Sequence, residues 1–429
     1  MAPELYLVAS IVGGVFTLLA LTAPRRPAFL SFPMFMAGWV AGDLALFHLA
    51  WQAVATIVFV ALGALDERAG WIGLAISAVS WVGLVMVFRR QRIAEDVLEA
   101  ALIAGLGDDY EQHIDPDLAG ELRKLVPRRY YLSPFRVRDP EVERITSIAY
   151  GDHKRQRLDV YRRRDGVRPG NAPVLLQIHG GAWVVGDKRQ QAQPLLWAMA
   201  ARGWVCVAPN YRLSPKATFP DHLVDVKRAL AWVREHAAEH GADPDFVVVT
   251  GGSAGGHLAA LLALTPNDTR FQPGFENVNT SVAGCMPMYG VYDFLDRHGV
   301  RGKAAMKPFL ERLVMKCSPV DERDQWEAAS PISHVGPHAP PFFVVHGSHD
   351  SLVWIEDTRH FVTALREASR EPVVDVELPH AQHAFDIMAN VRSAMMTAAA
   401  VRWLEWARSR HHRSAATNVR PAPQPEAVA

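Results

Sequence analysis

The feature that most constrains the fold is an abrupt change of pattern near the middle of the chain. The apolar, β-branched run 246–250 leads directly into Gly251-Gly252-Ser253-Ala254-Gly255-Gly256, and the helix-forming run 257–264 follows at once. This order predicts a strand, a sharp turn and a helix. Glycines two positions on either side of Ser253 suit a turn so tight that side chains there would collide with the strand and helix. An ordinary Gly-rich turn is the alternative, but G-x-S-x-G in this setting is typical of a nucleophile elbow.

A second Gly-rich element lies about seventy residues upstream of the serine. The strand-like run 174–178 ends in His179-Gly180-Gly181-Ala182-Trp183, whose small residues leave backbone N–H groups free to point outward. We expect Gly180, Gly181 and Ala182, together with the N–H of Ala254, to form an oxyanion hole that stabilises a tetrahedral intermediate. A plain tight turn is the alternative. The two elements follow strand-like runs in the order that such a site requires.

An acid and a histidine are expected after the serine, each in a loop beyond a strand. The strand-like run 341–346 opens into a loop that contains Asp350, and the run 373–378 opens into a loop that contains His383. A serine hydroxyl is a weak nucleophile at neutral pH, so a base must take its proton. We predict His383 as this base, with Asp350 fixing the imidazole tautomer and stabilising the imidazolium.

Other residues near these loops are alternatives. His380 lies three residues before His383 and is the rival base, but the His-Ala-Phe step at 383–385 better suits a loop-to-helix turn. His346 and His349 are interpreted as residues that pack around the acid loop. Asp357 is expected on the helix that follows that loop.

From about residue 141 to 408 the chain resembles α/β-hydrolases of the esterase/lipase group, in the hormone-sensitive-lipase-like and feruloyl-esterase/kynurenine-formamidase-like branches. The resemblance implies a mostly parallel central sheet with helices on both faces. It also implies carboxylic-ester hydrolysis through an acyl-enzyme. We expect apolar or aromatic esters as substrates and no cofactor. The motifs that carry it are His179-Gly180-Gly181-Ala182-Trp183, the segment 208–213, Phe219-Pro220, the segment 252–258, the segment 346–350 and His383-Ala384-Phe385.

Three positions depart from the usual patterns of this group. Gly252 precedes the serine where many hormone-sensitive-lipase-like enzymes have Asp, and His257 stands where they have Asn. These two departures favour the feruloyl-esterase-like branch. Ala182 replaces the third glycine of the usual oxyanion loop, but an alanine still offers its N–H.

The first 92 residues have a different composition. Apolar stretches at 5–23, 44–65 and 71–88 are each close to the ~20 residues needed to cross ~30 Å of hydrocarbon. We therefore predict about three transmembrane spans, with buried core helices as the alternative. A cleaved signal peptide fits poorly, because residues 1–4 carry no positive charge in their side chains and two more apolar stretches follow.

The segment 28–42 is also apolar but is interrupted by Pro33. An interfacial segment, a re-entrant segment and a fourth span all remain open for it. Asp43 and His48 are ionisable residues within or beside apolar sequence, where charges are costly in lipid. We interpret them as structurally paired or interfacial residues.

Arginines flank the first and third predicted spans. Arg25 and Arg26 follow the first, and a cluster at 89–92 follows the third, so three spans place both groups on one side of the membrane. The positive-inside rule then predicts a multi-pass membrane protein with its catalytic domain in the cytoplasm. The anchor and the Arg-rich, Lys-poor composition resemble the membrane-bound lipases and esterases of actinobacteria.

The other parts of the chain yield weaker expectations. Residues 93–140 are interpreted as a helical linker or a cap over the site, and 409–429 as a polar, Pro/Ala-rich disordered tail that includes His411 and His412. The three cysteines, Cys206, Cys285 and Cys317, are scattered and suggest neither a disulfide framework nor a zinc site.

The chain has 45 basic and 45 acidic residues and no basic-aromatic stripe, so we expect no nucleic-acid partner. The absence of a dinucleotide-binding motif or a metal-ligand cluster predicts no cofactor and no metal. The function predicted from the sequence is a membrane-anchored serine carboxylic-ester hydrolase. An arylformamidase-type amidase and a catalytically silent membrane adaptor are the alternatives.

Overall fold

A single mixed sheet forms the centre of the chain from residue 142 onwards. In the computed structural model, which describes residues 1–27, 30–119, 133–135, 137–165, 172–301 and 306–418, eight strands lie in the order β1-β2-β4-β3-β5-β6-β7-β8. Strand β2 is antiparallel to both of its neighbours, and all later pairs are parallel. The strands are β1 Val142–Ala149, β2 Arg157–Arg163, β3 Ala172–Ile178, β4 Val205–Pro209, β5 Ala242–Gly252, β6 Gly284–Met288, β7 Phe342–Gly347 and β8 Val373–Leu378.

Helices precede the sheet and connect its parallel strands. They are α1 Ala2–Thr22, α2 Ser31–Asp43, α3 Ala45–Ala61, α4 Arg68–Gln91, α5 Ala94–Leu106, α6 Pro116–Ala119, α7 Gln193–Ala201, α8 Asp221–His236, α9 Ala254–Leu264, α10 Met306–Phe309, α11 Arg323–Ala328, α12 Ile355–Ala368 and α13 Val391–Asn418. Short 3₁₀ turns occur at Ala64–Asp66, Tyr110–His113, Ala237–His240, Thr269–Phe271 and Pro331–His334, and a π-helical turn at Leu310–Met315.

The two faces of the sheet are covered by different helices. Side chains alternate along β3, so that Val174 and Leu176 join one buried cluster and Leu175 joins the other. Residues of α8, α9 and α12 belong to the first cluster, and residues of α5, α7 and α13 to the second. A mostly parallel sheet buried on both faces between helices is the α/β-hydrolase architecture predicted from the sequence, and the fold prediction is confirmed.

The N-terminal helices have the opposite burial pattern. Small polar groups lie between them: the hydroxyl groups of Thr17 on α1 and Ser80 on α4 are 2.7 Å apart, and Tyr6 Oη lies 3.0 Å from Thr56 Oγ1 on α3. Large apolar side chains point outward, with Ile57 69% and Val79 74% exposed. The contacts between these helices therefore include many polar groups, whereas their outer surface is largely apolar.

Among the described residues of this region, two helices are long and apolar enough to cross a membrane, namely α1 and the continuous stretch formed by α4 and α5. A third span exists if α2 and α3 are taken together, although the two are bent by 91° relative to each other. The predicted stretches 5–23, 44–65 and 71–88 correspond to α1, to α3 with the turn that follows it, and to α4.

The segment 28–42 forms α2, apart from residues 28 and 29, which lie outside the described residues. With 13 residues the helix is about 20 Å long, which is less than the ~30 Å of a hydrocarbon core. Helix α2 packs against the sheet-containing domain; for example, the indole N–H of Trp39 donates to the Ala384 carbonyl at 3.2 Å.

The first half of the predicted linker covers the sheet. A Cβ atom on Gly105 of α5 would lie 2.6 Å from Val374 Cγ2 on β8, and Leu98 and Leu102 are buried in the same cluster as Val374 and Val376. Helix α5 is thus a packed element beside the sheet. Residues 120–132 and 136, in the second half of this segment, lie outside the described residues.

The C-terminal segment differs from its predicted disorder. Helix α13 continues without a break from Val391 to Asn418. Contacts beyond position 408 include two with the segment before β1: Ser409 Oγ accepts the N–H of Asp115 at 2.9 Å, and Arg413 donates to the His113 carbonyl at 2.7 Å. The tail prediction for 409–418 is corrected accordingly, and residues 419–429 lie outside the described part of the chain.

Candidate active site

Ser253 lies at the junction between β5 and α9 with φ 57° and ψ −122°, a strained backbone conformation for a residue with a side chain. The neighbouring glycines are required by space. A Cβ on Gly255 would lie 2.1 Å from the Ile178 carbonyl oxygen, and one on Gly251 would lie 2.5 Å from the Gly255 carbonyl oxygen. The turn therefore presents Ser253 at the end of the strand, as the glycine spacing predicts.

The residue before the serine is also fixed by packing. A Cβ on Gly252 would lie 2.3 Å from the hydroxyl oxygen of Tyr289, so an Asp does not fit here while Tyr289 keeps its position. The Tyr289 hydroxyl donates to the buried carboxylate of Asp386, whose other oxygen accepts the Ala192 N–H at 3.1 Å. Tyr289 thus occupies the space next to Gly252 and links it to the loop that carries Asp386.

The loop after β3 turns sharply, with φ of 112° at Gly181, 51° at Ala182 and 61° at Trp183. The N–H of Gly180 donates to Gln191 Oε1. Gly180 is therefore not available as an oxyanion donor, and its inclusion in the predicted hole is wrong. In the described part of the chain, neither Gly181 nor Ala182 donates its N–H to an acceptor, and Ala254 is the first residue of α9, where helical N–H groups have no intrahelical partner.

His257 supports this loop from the neighbouring helix. Its Nδ1 accepts the indole N–H of Trp183 at 3.3 Å, and its Nε2 lies 2.7 Å from the Ala329 carbonyl oxygen. Burial lowers the pKa of His257 to about 3, so the ring is neutral. A neutral ring can accept a hydrogen bond at Nδ1 and donate one from Nε2 to the Ala329 carbonyl. From the sequence, His257 was identified only as a departure from the family pattern. Its hydrogen bond to Trp183 could not be predicted from that departure.

Asp350 and His383 meet through a short hydrogen bond, with His383 Nδ1 2.6 Å from Asp350 Oδ2. The other oxygen of Asp350 accepts the N–H groups of Leu352 at 2.9 Å and Val353 at 2.8 Å. Burial alone would raise the pKa of Asp350, but the charges and hydrogen bonds of the adjacent His383 and His346 hold it well below its usual range. The carboxylate is therefore ionised and fixed in orientation.

The other histidines take different places. His346 Nε2 lies 3.1 Å from Asp350 Oδ2, and its Nδ1 lies 2.6 Å from Thr358 Oγ1, so it packs under the acid loop. His380 is hydrogen-bonded to His349, with 3.0 Å between the two ring nitrogens. Burial is the main cause that lowers the pKa of His349 to about 4. The structure thus places His383 on Asp350 and pairs His380 with His349.

A cavity of about 700 Å³ brings the elements of the site together. Ser253, His383 and Ala182 all line it, with apolar side chains such as Val291 and Phe309 around them. The N-terminal region also contributes: Arg25, Arg26, Pro27, Ser31 and Phe32 form part of the wall, whereas no described residue of 93–140 does. Hydropathy alone gave no signal that the segment before α3 would reach the site.

Comparison with known proteins agrees with this geometry. The BD-FAE family model matches residues 158–365. The chain is 43% identical over 400 residues to the probable carboxylic ester hydrolase LipM of Mycobacterium tuberculosis, covering 90% of each chain, and 45% identical over 310 residues to esterase LipQ of the same organism, covering 71% of this chain and 73% of LipQ. Esterase B from Lactobacillus rhamnosis shares the fold, with a TM-score of 0.57 at 22% identity, over 75% of this chain and 99% of that one.

The sheet, the serine turn and these relatives define an α/β-hydrolase. The chain belongs to the esterase/lipase family of these hydrolases. Its activity is therefore that of a carboxylic ester hydrolase.

Proposed function

We propose that the protein is a membrane-anchored serine esterase that works through an acyl-enzyme, with Ser253, His383 and Asp350 as its catalytic triad. The observation that carries the proposal is the short bond between His383 and Asp350 in the wall of the cavity that Ser253 also lines. Asp350, bonded to His383 Nδ1, leaves Nε2 as the nitrogen that can face the serine.

The reaction follows from these positions. Ser253 Oγ attacks the ester carbonyl carbon while its proton passes to His383, and the N–H groups of Gly181, Ala182 and Ala254 hold the resulting oxyanion. The imidazolium then protonates the leaving alkoxide, and the C–O bond breaks to give the acyl-enzyme and a free alcohol. A water molecule, deprotonated by His383, then attacks the acyl carbon. The bond between that carbon and Ser253 Oγ breaks, His383 returns the proton to Oγ, and the carboxylic acid leaves.

The cavity wall supports esters with an apolar acyl or aromatic group. Its lining is mainly apolar, with Phe32, Met306, Phe309, Leu352 and Trp354 among the contributors. An apolar group transferred from water to such a wall gains about 25 cal/mol for each Å² buried. Longer acyl chains that still fit the cavity should therefore bind more tightly than acetate.

Membrane anchoring is supported by the inverted burial pattern of the N-terminal helices and by the length of α1 and of the stretch from α4 to α5. The arginines at 25–26 and 89–92 favour a cytoplasmic catalytic domain. A Ser414→Cys probe in a Cys317→Ser background tests this placement, because Cys206 and Cys285 are buried. A membrane-impermeant maleimide should label the probe only after cell lysis, and labelling of intact cells would reverse the topology.

The enzymatic proposal is tested with a chain-length series of p-nitrophenyl esters. Purified wild-type protein should hydrolyse them, and Ser253→Ala should lower kcat/KM by about 10⁴-fold while remaining folded. A tenth of wild-type activity in Ser253→Ala would exclude this nucleophile. No turnover by the wild type would favour a silent adaptor, and preferential cleavage of N-formyl aryl amides would favour the amidase.

A further inference from the structure

Three side chains on one face of α2 contact the loop that carries His383 or the first turn of the helix that follows it. Phe35, Trp39 and Asp43 are spaced four residues apart, so they project from successive turns of the same face. This loop runs from Pro379 to Asn390, between β8 and α13. A helix of the N-terminal region therefore lies directly against the proposed general base.

The first two contacts lie at the base itself. The ring of Phe35 meets the imidazole of His383 edge-on, with centroids 5.9 Å apart and an interplanar angle of 79°. One turn further along, the indole N–H of Trp39 donates to the carbonyl oxygen of Ala384 at 3.2 Å. These contacts fix both the ring of His383 and the backbone of the next residue.

The third contact ties the ends of the loop. Arg392, in the first turn of α13, lies 3.1 Å from Asp43 Oδ1, and the side chains of both residues are almost completely buried. The same guanidinium group donates to the His380 carbonyl at 3.3 Å. Asp43 therefore holds Arg392, and Arg392 holds the beginning of the loop.

The loop needs such support because its backbone is strained. His380 has φ 54° and Ala384 has φ 63°, both in the left-handed region that non-glycine residues rarely adopt. Strained residues of this kind persist when the surrounding structure over-determines them. Helix α2 supplies contacts at the two strained positions, through Arg392 at His380 and directly at Ala384.

We propose that α2 is a positioning element of the active site, and that Phe35 and Trp39 hold His383 in register with Ser253. This inference rests on the proposed function, because it takes His383 as the base. A general base acts only within hydrogen-bond reach of the proton it takes, and a displacement of about 1 Å can cost on the order of 100-fold in rate. The N-terminal region thus completes the catalytic site as well as anchoring it.

The test uses the full-length protein in detergent micelles and compares Trp39→Phe and Phe35→Leu with a matched control. Trp71 on α4 makes the same kind of bond, from its indole N–H to the Leu65 carbonyl at 2.9 Å, and does not line the cavity. Trp71→Phe therefore removes an equivalent hydrogen bond elsewhere in the N-terminal region. Titration with a fluorophosphonate measures the concentration of active sites that can react. Because kcat is expressed per titrated site, a fraction of unfolded protein does not lower the measured kcat.

We expect kcat per titrated site to fall about tenfold in Trp39→Phe and in Phe35→Leu, with KM within about twofold of wild type, because the base is displaced while the cavity persists. Trp71→Phe should match the wild type in both constants. Equal kcat per site in all four proteins would overturn the role of α2. Ser253→Ala is assayed alongside: if it retains activity, the triad proposal fails, and this inference fails with it for that separate reason.

Discussion

The two regions of this molecule bury opposite kinds of side chain. In the sheet-containing domain the strands are apolar inside, as Leu175 and Val248 show, whereas the N-terminal helices keep Thr17 and Ser80 inside and expose Val79. Apolar burial stabilises a domain in water, while close packing of small and polar residues joins helices in lipid. This difference supports the proposed membrane anchoring of the N-terminal region, and α2 lies where the two regions meet.

The largest effect is expected from substitution of one of the two histidines in the β8–α13 loop, which α2 contacts. We expect His383→Ala to lower kcat on the order of 10⁴-fold, because Ser253 loses its base. His380→Ala should change kcat little, since His380 is bonded to His349 and not to Asp350. Steady-state hydrolysis of a p-nitrophenyl ester measures both, and the reverse order of effects would make His380 the base.

The junction between the regions is tested by stability. Asp43→Asn leaves Arg392 buried without its charged partner, and removing one member of a buried pair typically costs about 3 kcal/mol or more. The exposed pair of Arg359 and Glu377 is the control, because surface pairs contribute about 1 kcal/mol or less. Thermal unfolding in micelles should therefore show a much larger loss for Asp43→Asn than for Arg359→Gln. Equal losses would mean that the junction is not a tight interface.

A smaller effect is expected from acidification of the sheet-containing domain. Burial lowers the pKa of His179 and His222 to about 4 and that of His257 to about 3, against about 6.5 in an unfolded chain. Between these values the unfolded state binds protons that the folded state excludes, so stability is full above about pH 6.5 and falls as the pH drops. The melting temperature should decrease from pH 7 to pH 5.

A matched pair of variants assigns part of this acid sensitivity to one residue. His222→Gln should flatten the decrease in melting temperature between pH 7 and pH 5, because the buried group that resists protonation is gone. His298 is exposed, and His298→Gln should leave the slope of the wild type unchanged. If melting temperature depends on pH to the same extent in both variants, His222 does not contribute to the acid sensitivity.

The sheet-containing domain could be predicted from sequence because its backbone restricts the residues that fit. Gly251 and Gly255 have no space for a Cβ, so the serine turn leaves a pattern that can be recognised without a structure. The prediction that His383, and not His380, is the partner of Asp350 was based on the motif His383-Ala384-Phe385. Each of these features depends on residues that are close together in the sequence.

The features that were missed depend on packing between distant segments. The hydrogen bond from Gly180 to Gln191 occupies an N–H that the loop sequence appeared to offer, and the contacts of Asp115 and His113 hold the end of α13 in place of a disordered tail. The segment 28–42, which contains α2, was noted for its hydropathy alone, and hydropathy does not indicate which residues a segment contacts. Trp39 and Ala384 are 345 residues apart, and no local pattern connects them.

The most direct test of the catalytic account is the site of covalent modification by a fluorophosphonate. Wild-type protein is labelled, digested and examined by mass spectrometry. We expect one adduct, on Ser253, that is absent in Ser253→Ala and forms far more slowly in His383→Ala, because the nucleophile then lacks its base. An adduct on another residue, or rapid ester hydrolysis by protein whose Ser253 is fully modified, would contradict the assignment of Ser253 as the nucleophile.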